Sequence, residues 1–128
     1  KPSYQRRTGC ATRALNDVAA FADPEIGVAV YDSFDLAPGW GAFGGTSAAT
    51  PIVAGIFAAS GNAKASPAFV YQHLSAFFDV TRGSDAVRAP CTEGSRCSAN
   101  AGYDGPTGVG SPNAAALANV ADLVANAR

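Results

Sequence analysis

Gly44-Gly45-Thr46-Ser47-Ala48-Ala49-Thr50-Pro51 is the stretch on which the reading of this chain turns. Small and apolar residues follow at once, Ile52-Val-Ala-Gly-Ile-Phe-Ala-Ala59. They predict a helix from Thr46 or Ser47 to about Ser60, ended by Gly61-Asn62. Pro51 falls near the helix start, where the first turn has no acceptors for its N–H groups and proline is tolerated. Two glycines ahead of a serine let the backbone approach a ligand, and the alanines behind it leave the hydroxyl uncrowded. A serine at a helix N-terminus also sits beside unpaired N–H groups and the positive end of the dipole. Those are the needs of a nucleophile whose attack creates an oxyanion. The plainer reading is a helix N-cap, the common role of Thr46 or Ser47 at such a place.

Outward from this turn, Ile26-Gly-Val-Ala-Val-Tyr31 is rich in β-branched residues and predicts a buried strand. Residues 1–14 are polar and Arg-rich without a period, and Asp17-Val-Ala-Ala-Phe-Ala22 is a short apolar run stopped by Asp23-Pro24. Residues 32–45 read as loop, with Pro38-Gly39 and Gly44-Gly45 around Trp40 and Phe43. Downstream, Ser66 caps and Pro67 opens a second helix, with Phe69, Val70, His73 and Leu74 on one face. Phe77-Phe78-Asp79-Val80 reads as a short strand or its end. Residues 81–112 read as nearly all loop, and a compact domain carries such a loop only when it is functional or pinned by a ligand. Ser111-Pro112-Asn113 caps a last, Ala-rich helix striped by Leu117, Val120, Leu123 and Val124. Strand, helix, helix, strand, loop and helix point to the α/β class.

The chain of 128 residues, 48% hydrophobic and 15% charged, fits one domain or part of one and has the apolar content for a core. A formal charge of −1 leaves no basic field for nucleic acid or anionic lipid. The longest apolar stretch, from Pro51 to Ala59, is far short of the ~20 residues of a membrane span. The start, Lys1-Pro-Ser-Tyr-Gln-Arg-Arg7, has no apolar signal region, and methionine is absent throughout. The expectation is an internal or processed piece whose natural start lies upstream. Cys91 and Cys97 share a Pro/Gly/Ser-rich loop segment, where a short bridge is the natural reading and two free thiols in a reducing compartment are the alternative. Zinc is excluded as a four-ligand site because the single histidine, His73, is remote. Cys10 is the odd cysteine, free or paired outside this chain.

The full string Gly-Thr-Ser-x-x-x-Pro before a small-residue helix resembles the nucleophile segment of the subtilisin-like clan. Subtilisins proper continue with Met and a second His and place the catalytic His upstream of the serine. Here Ala48-Ala49-Thr50-Pro51 follows, and His73 lies downstream. A His-based triad cannot be built from this chain, and His73 reads as a structural or surface residue. The chain is instead similar to the sedolisins, the serine-carboxyl peptidases. Asp17-Val18-Ala19 with Ala22-Asp23-Pro24-x-x-Gly27 resembles their Pro-Asp-Val-x-x-x-Ala-Asp-Pro-x-x-Gly region, with Asn16 where proline is usual. Phe78-Asp79-Val80-Thr81-x-Gly83 and Gly102-Tyr103-Asp104-x-x-Thr107-Gly-x-Gly110-Ser-Pro112 resemble their calcium region. Order and spacing match the C-terminal third of the catalytic domain, residues 1–128 as one incomplete domain.

That resemblance implies part of a subtilisin-like three-layer fold, a parallel sheet flanked by helices. It implies a secreted serine-type endopeptidase acting on peptide or protein substrates, with Ser47 as nucleophile on a loop formed by Gly45 and Thr46. It also implies a Ca2+ ion held by the carboxylates of Asp79 and Asp104 and the carbonyls of Val80, Asn100 and Gly102. Calcium takes about six to eight oxygens, which such a set begins to supply. Asn100 replaces a usual glycine, a mild change because Asn tolerates the left-handed conformation. The alternative for Asp104 is a turn residue that caps backbone N–H groups.

The family's Glu base, its supporting Asp and its oxyanion Asp lie N-terminal to the matched part. The acidic residues before Ser47 are Asp17, Asp23, Glu25, Asp32 and Asp35, and no Glu-x-x-x-Asp pair is among them. Two expectations follow. The chain is a fragment of a complete peptidase whose missing N-terminal part pairs with Cys10, or it is a non-catalytic, calcium-binding secreted remnant.

Overall fold

The structure, a computed structural model, describes residues 1–34, 39–85 and 97–126. Strand β1 (Val28–Asp32) and strand β2 (Gly39–Phe43) form one two-stranded antiparallel sheet, with Val28 opposite Phe43 and Tyr31 opposite Trp40. Helix α1 (Thr46–Ala59), helix α2 (Pro67–Gln72) and a 3-10 turn (Leu74–Ala76) follow. Strand β3 (Phe77–Phe78) pairs antiparallel with β4 (Ser111–Pro112), and helix α3 (Ala114–Asn126) closes the chain.

The expected parallel sheet, and with it the subtilisin-like three-layer fold, is corrected by these pairings. Both sheets among the described residues are antiparallel and two-stranded. The physical reason lies in the segment read as loop. Gly39–Phe43 is extended and returns alongside β1 after a connection too short for a parallel crossover, which needs about a dozen residues.

The end of α1 and the start of α3 follow their sequence signals. Helix α2 instead stops at Gln72, leaving His73 and Leu74, expected on its face, beyond it, and Ser66 holds the N-cap position without a side-chain bond. Gly61 (φ 78°) ends α1: its N–H donates to the Ala58 carbonyl at 3.1 Å, and the Asn62 N–H donates to Phe57 at 2.8 Å. Two such bonds satisfy carbonyls a helix end otherwise leaves open. Asn62 is buried and also donates its side-chain amide to the Leu117 carbonyl at 2.8 Å, tying α1 to α3. Asn113 caps α3, its Oδ1 accepting from the Ala116 N–H at 3.2 Å.

The core is small. Val70, Ala76, Phe77, Val109 and Leu117 are its buried members, with Phe57, Phe69 and Val120 packed against them. Fully buried Leu117 contributes about 1.5–3 kcal/mol through the apolar area it removes from water. Leu123 and Val124, expected on the same stripe, have side chains outside the described residues. No residue of α1 is buried, although the helix is almost wholly apolar and small.

Candidate functional site

The serine turn rests on a bed made by Asp23 and Pro24. The Asp23 carboxylate accepts from the Glu25 N–H at 2.8 Å and its carbonyl accepts from the Gly27 N–H at 2.8 Å. Gly44 lies so close that a Cβ there would overlap the backbone of Pro24. The Gly45 N–H donates to the Ala22 carbonyl at 2.6 Å, and its positive φ of 93° swings the chain into α1.

Gly45, not a hydroxyl residue, holds the N-cap position, and its carbonyl accepts from Ala48 and Ala49 at 3.0 and 3.2 Å. Ser47 is therefore the second residue of the helix. It is exposed, and its hydroxyl is not spent on capping. The N–H groups of Thr46 and Ser47 have no backbone acceptor among the described residues. This is the geometry of an open helix N-terminus with a hydroxyl beside it. A cavity of about 370 Å³ lined by Val18, Ala22, Thr46, Ala49 and Val53 opens next to the turn; Ser47 is not part of its lining.

No carboxylate or imidazole is hydrogen-bonded to Ser47 among the described residues. His73 closes α2, and its ring packs on Phe69 with centroids 4.4 Å apart. It is a packing residue here.

In the calcium region, Asp104 is fully buried. Its Oδ1 accepts from the N–H and hydroxyl of Thr107, both at 2.8 Å, and Oδ2 accepts from the Asn100 N–H at 2.9 Å. The turn-capping role thus holds for Asp104. The Gly102 N–H donates to Oδ2 of Asp79 at 2.8 Å, so the end of β3 and the 100–104 loop meet. The expected donors remain available. The carbonyls of Val80, Asn100 and Gly102 accept no backbone hydrogen bond among the described residues. Asp79 keeps Oδ1, and Oδ2 of Asp104 keeps one lone pair, since a carboxylate oxygen has two. Carboxylate and carbonyl oxygens are the donor type that a hard cation takes. Among the described residues no group of three or more His, Cys, Asp or Glu side chains gathers to hold a metal, so carbonyls would have to complete such a set.

Residues 16–22 join the two regions. Asn16 donates its side-chain amide to the carbonyls of Gly105 and Pro106, at 3.0 and 2.7 Å. The Tyr103 hydroxyl donates to the Asn16 carbonyl at 3.0 Å. The Val109 N–H donates to Asp17 at 2.9 Å, and the Ala19 N–H to Gly110 at 3.0 Å. Ala22 then receives the serine turn. Gly108 and Gly110 permit this closeness: a Cβ on Gly108 would overlap the Asp17 carbonyl, and one on Gly110 would overlap the Phe78 carbonyl.

Sequence reasoning missed one cluster. Gln5, fully buried, receives the Ala14 N–H on Oε1 at 2.9 Å and donates Nε2 to the Ala14 carbonyl and to Asp17, both at 3.0 Å. The Tyr71 hydroxyl donates to Oδ1 of Asp17 at 2.7 Å, and Arg13 pairs with Oδ2 at 2.6 Å. Burial, then the bond to Asp17, holds the Tyr71 phenol protonated far above its ordinary range. Burial likewise raises Tyr103. The hydrogen bond to Asp17 raises Arg13. No pattern marks Gln5 in advance, because it sits in an aperiodic stretch.

Cys10 forms no disulfide among the described residues. Cys97 is disulfide-bonded and 2% exposed; Cys91, the other half of the expected bridge, lies outside the described residues.

Compared with known proteins, the chain matches no family model and no curated protein.

Proposed function

We propose that this chain is the nucleophile-bearing portion of a serine-type endopeptidase of the serine-carboxyl, or sedolisin, kind. The observation that carries the reading is Ser47, exposed on the second residue of α1, with an unspent hydroxyl and open N–H groups beside it. In such a reaction the Ser47 Oγ attacks the scissile carbonyl, and the N–H groups of the helix start stabilise the negative charge that develops. The Glu base, its Asp and the oxyanion Asp come from polypeptide outside these 128 residues. A carboxylate base and a protonated oxyanion acid suit acid pH, where an imidazole base would be charged. The carboxylates of Asp79 and Asp104 and the carbonyls of Val80, Asn100 and Gly102 would hold a Ca2+ ion, whose charge would fix the 100–104 loop against β3. A disulfide at Cys97 supports a secreted, oxidising setting.

The second reading is a non-catalytic, calcium-binding remnant of the same family. It is favoured by one observation: no base touches Ser47 among the described residues.

A chimera separates the two. Residues 1–128 replace the C-terminal third of an active serine-carboxyl peptidase, which supplies the Glu, Asp and oxyanion Asp. The expected result is peptide hydrolysis at acid pH that Ser47→Ala abolishes. A folded chimera without activity assigns the chain to the non-catalytic reading, and activity surviving Ser47→Ala removes Ser47 as nucleophile.

A further inference from the structure

The β1–β2 hairpin leaves both of its faces uncovered. Ile26, Tyr31 and Trp40 are 70%, 57% and 75% exposed, and Val30 and Phe43 are also exposed. Side chains alternate along a strand, so Val28 and Val30 share one face with Phe43, while Ala29 and Tyr31 share the other with Trp40. The Tyr31 and Trp40 rings meet edge to face, 5.5 Å apart. A strand apolar on both faces is the pattern of a strand covered on both sides, and an isolated two-stranded hairpin is marginal in water. The outer edge of β1 pairs with no strand among the described residues, so it presents open backbone donors and acceptors.

Charge selects the occupant. Between Arg13 and Lys64 the sequence contains no Lys, Arg or His, yet carries Asp23, Glu25 and Asp32 around β1. All three are exposed, and none has an ion pair among the described residues. Two-fold pairing of β1 with β1 of a second copy about Val30 would set Asp32 opposite Val28 and bring together two surroundings that each hold Asp23, Glu25 and Asp32 and no cation. We propose that the free edge of β1 receives an extended apolar segment of another polypeptide that carries Lys or Arg at its ends. Main-chain hydrogen bonds give the pairing its affinity, and the end charges give it orientation and selectivity.

Trp40, the single tryptophan, reports on this surface through Tyr31 of β1, whose ring it meets edge to face. The probe is a short alternating Val/Thr peptide with lysine pairs at both ends, added to the intact chain. The expected result is a blue shift of Trp40 emission and at least a two-fold fall in acrylamide quenching. A glutamate-ended peptide and a lysine-ended peptide N-methylated at every internal amide should have no effect. Glu25→Lys, whose side chain makes no hydrogen bond among the described residues, should weaken the lysine-ended peptide roughly two- to five-fold, the weight of one exposed ion pair. Equal responses to both charge types, or binding of the N-methylated peptide, overturn the proposal. So does an unchanged Trp40, or a blue shift that tracks protein concentration without peptide, which assigns the face to a second copy.

Discussion

Asn16 donates its side-chain amide to the carbonyl of Pro106 at 2.7 Å, across 90 residues of sequence. The same amide reaches Gly105 at 3.0 Å, so one side chain holds the turn that follows Asp104. Asn16→Ala removes both bonds at an exposed site and should cost about 1 kcal/mol, the usual net worth of such bonds near water. A denaturant midpoint unchanged by Asn16→Ala would show that water replaces the amide.

Gly110 is constrained more severely. Its φ of 105° disfavours any side chain, and a Cβ would overlap the Phe78 carbonyl. Gly110→Ala should therefore destabilise by about 2–4 kcal/mol, in the range of overpacking combined with backbone strain. Gly45→Ala gives a comparison: it has a positive φ but no atom within 4 Å of the Cβ, so it suffers the strain without the overlap. Equal losses for the two in urea melts would mean that φ, not contact, governs Gly110.

Calcium should raise the melting temperature of the chain, and excess chelator should lower it. Asp104→Ala should abolish that difference. It should also cost about 1–3 kcal/mol without metal, because the Thr107 and Asn100 N–H groups lose their acceptor at a buried position. Thermal melts of both proteins with and without calcium carry the test. A wild-type melting temperature indifferent to calcium would leave Asp104 as a turn residue alone.

The phenol of Tyr71 is neutral in the fold far beyond its ordinary value of 10.0. Unfolded, it ionises near that value, so above it the unfolded state holds fewer protons than the native one. Stability is then fully present below pH 10 and falls as pH rises past it. Tyr71→Phe should flatten that alkaline fall, at the expense of the Asp17 bond at neutral pH. Urea midpoints measured from neutral to strongly alkaline pH would show a parallel fall in both proteins if Tyr71 were not responsible.

Local chemistry was legible where a residue type has few alternative uses. Gly61-Asn62 ended α1 and Asn113 capped α3 because they satisfy helix-end groups, and Pro67 opened α2 because it has no N–H to leave unsatisfied there. The second strand was not legible. Gly39, Gly41 and the neighbouring Pro38 carry turn chemistry, yet Trp40 and Phe43 lie in β2, since pairing with β1 outweighs local preference. The parallel sheet came from resemblance and not from any strand pattern in these residues. In the site, the serine turn was visible from its glycines, including Gly44, whose reason is the contact with Pro24. The Gln5–Asp17–Tyr71 cluster was invisible because its members are 12 and 66 residues from Gln5, and polar contacts leave no periodic trace.

The ties between residues 16–19 and 105–111 also set a schedule for synthesis. Asp17 leaves the ribosome long before Val109, its hydrogen-bond partner, has been made. At about 5–20 residues per second the wait is on the order of ten seconds. Through that interval β1 and α1 exist without the loop that anchors their upstream strap, and their apolar side chains face the cytosol or a translocation channel. Contacts so distant in sequence are slow to close even in the finished chain. A nascent chain of this kind keeps that apolar surface open until the glycines at 108 and 110, which permit the closure, have emerged.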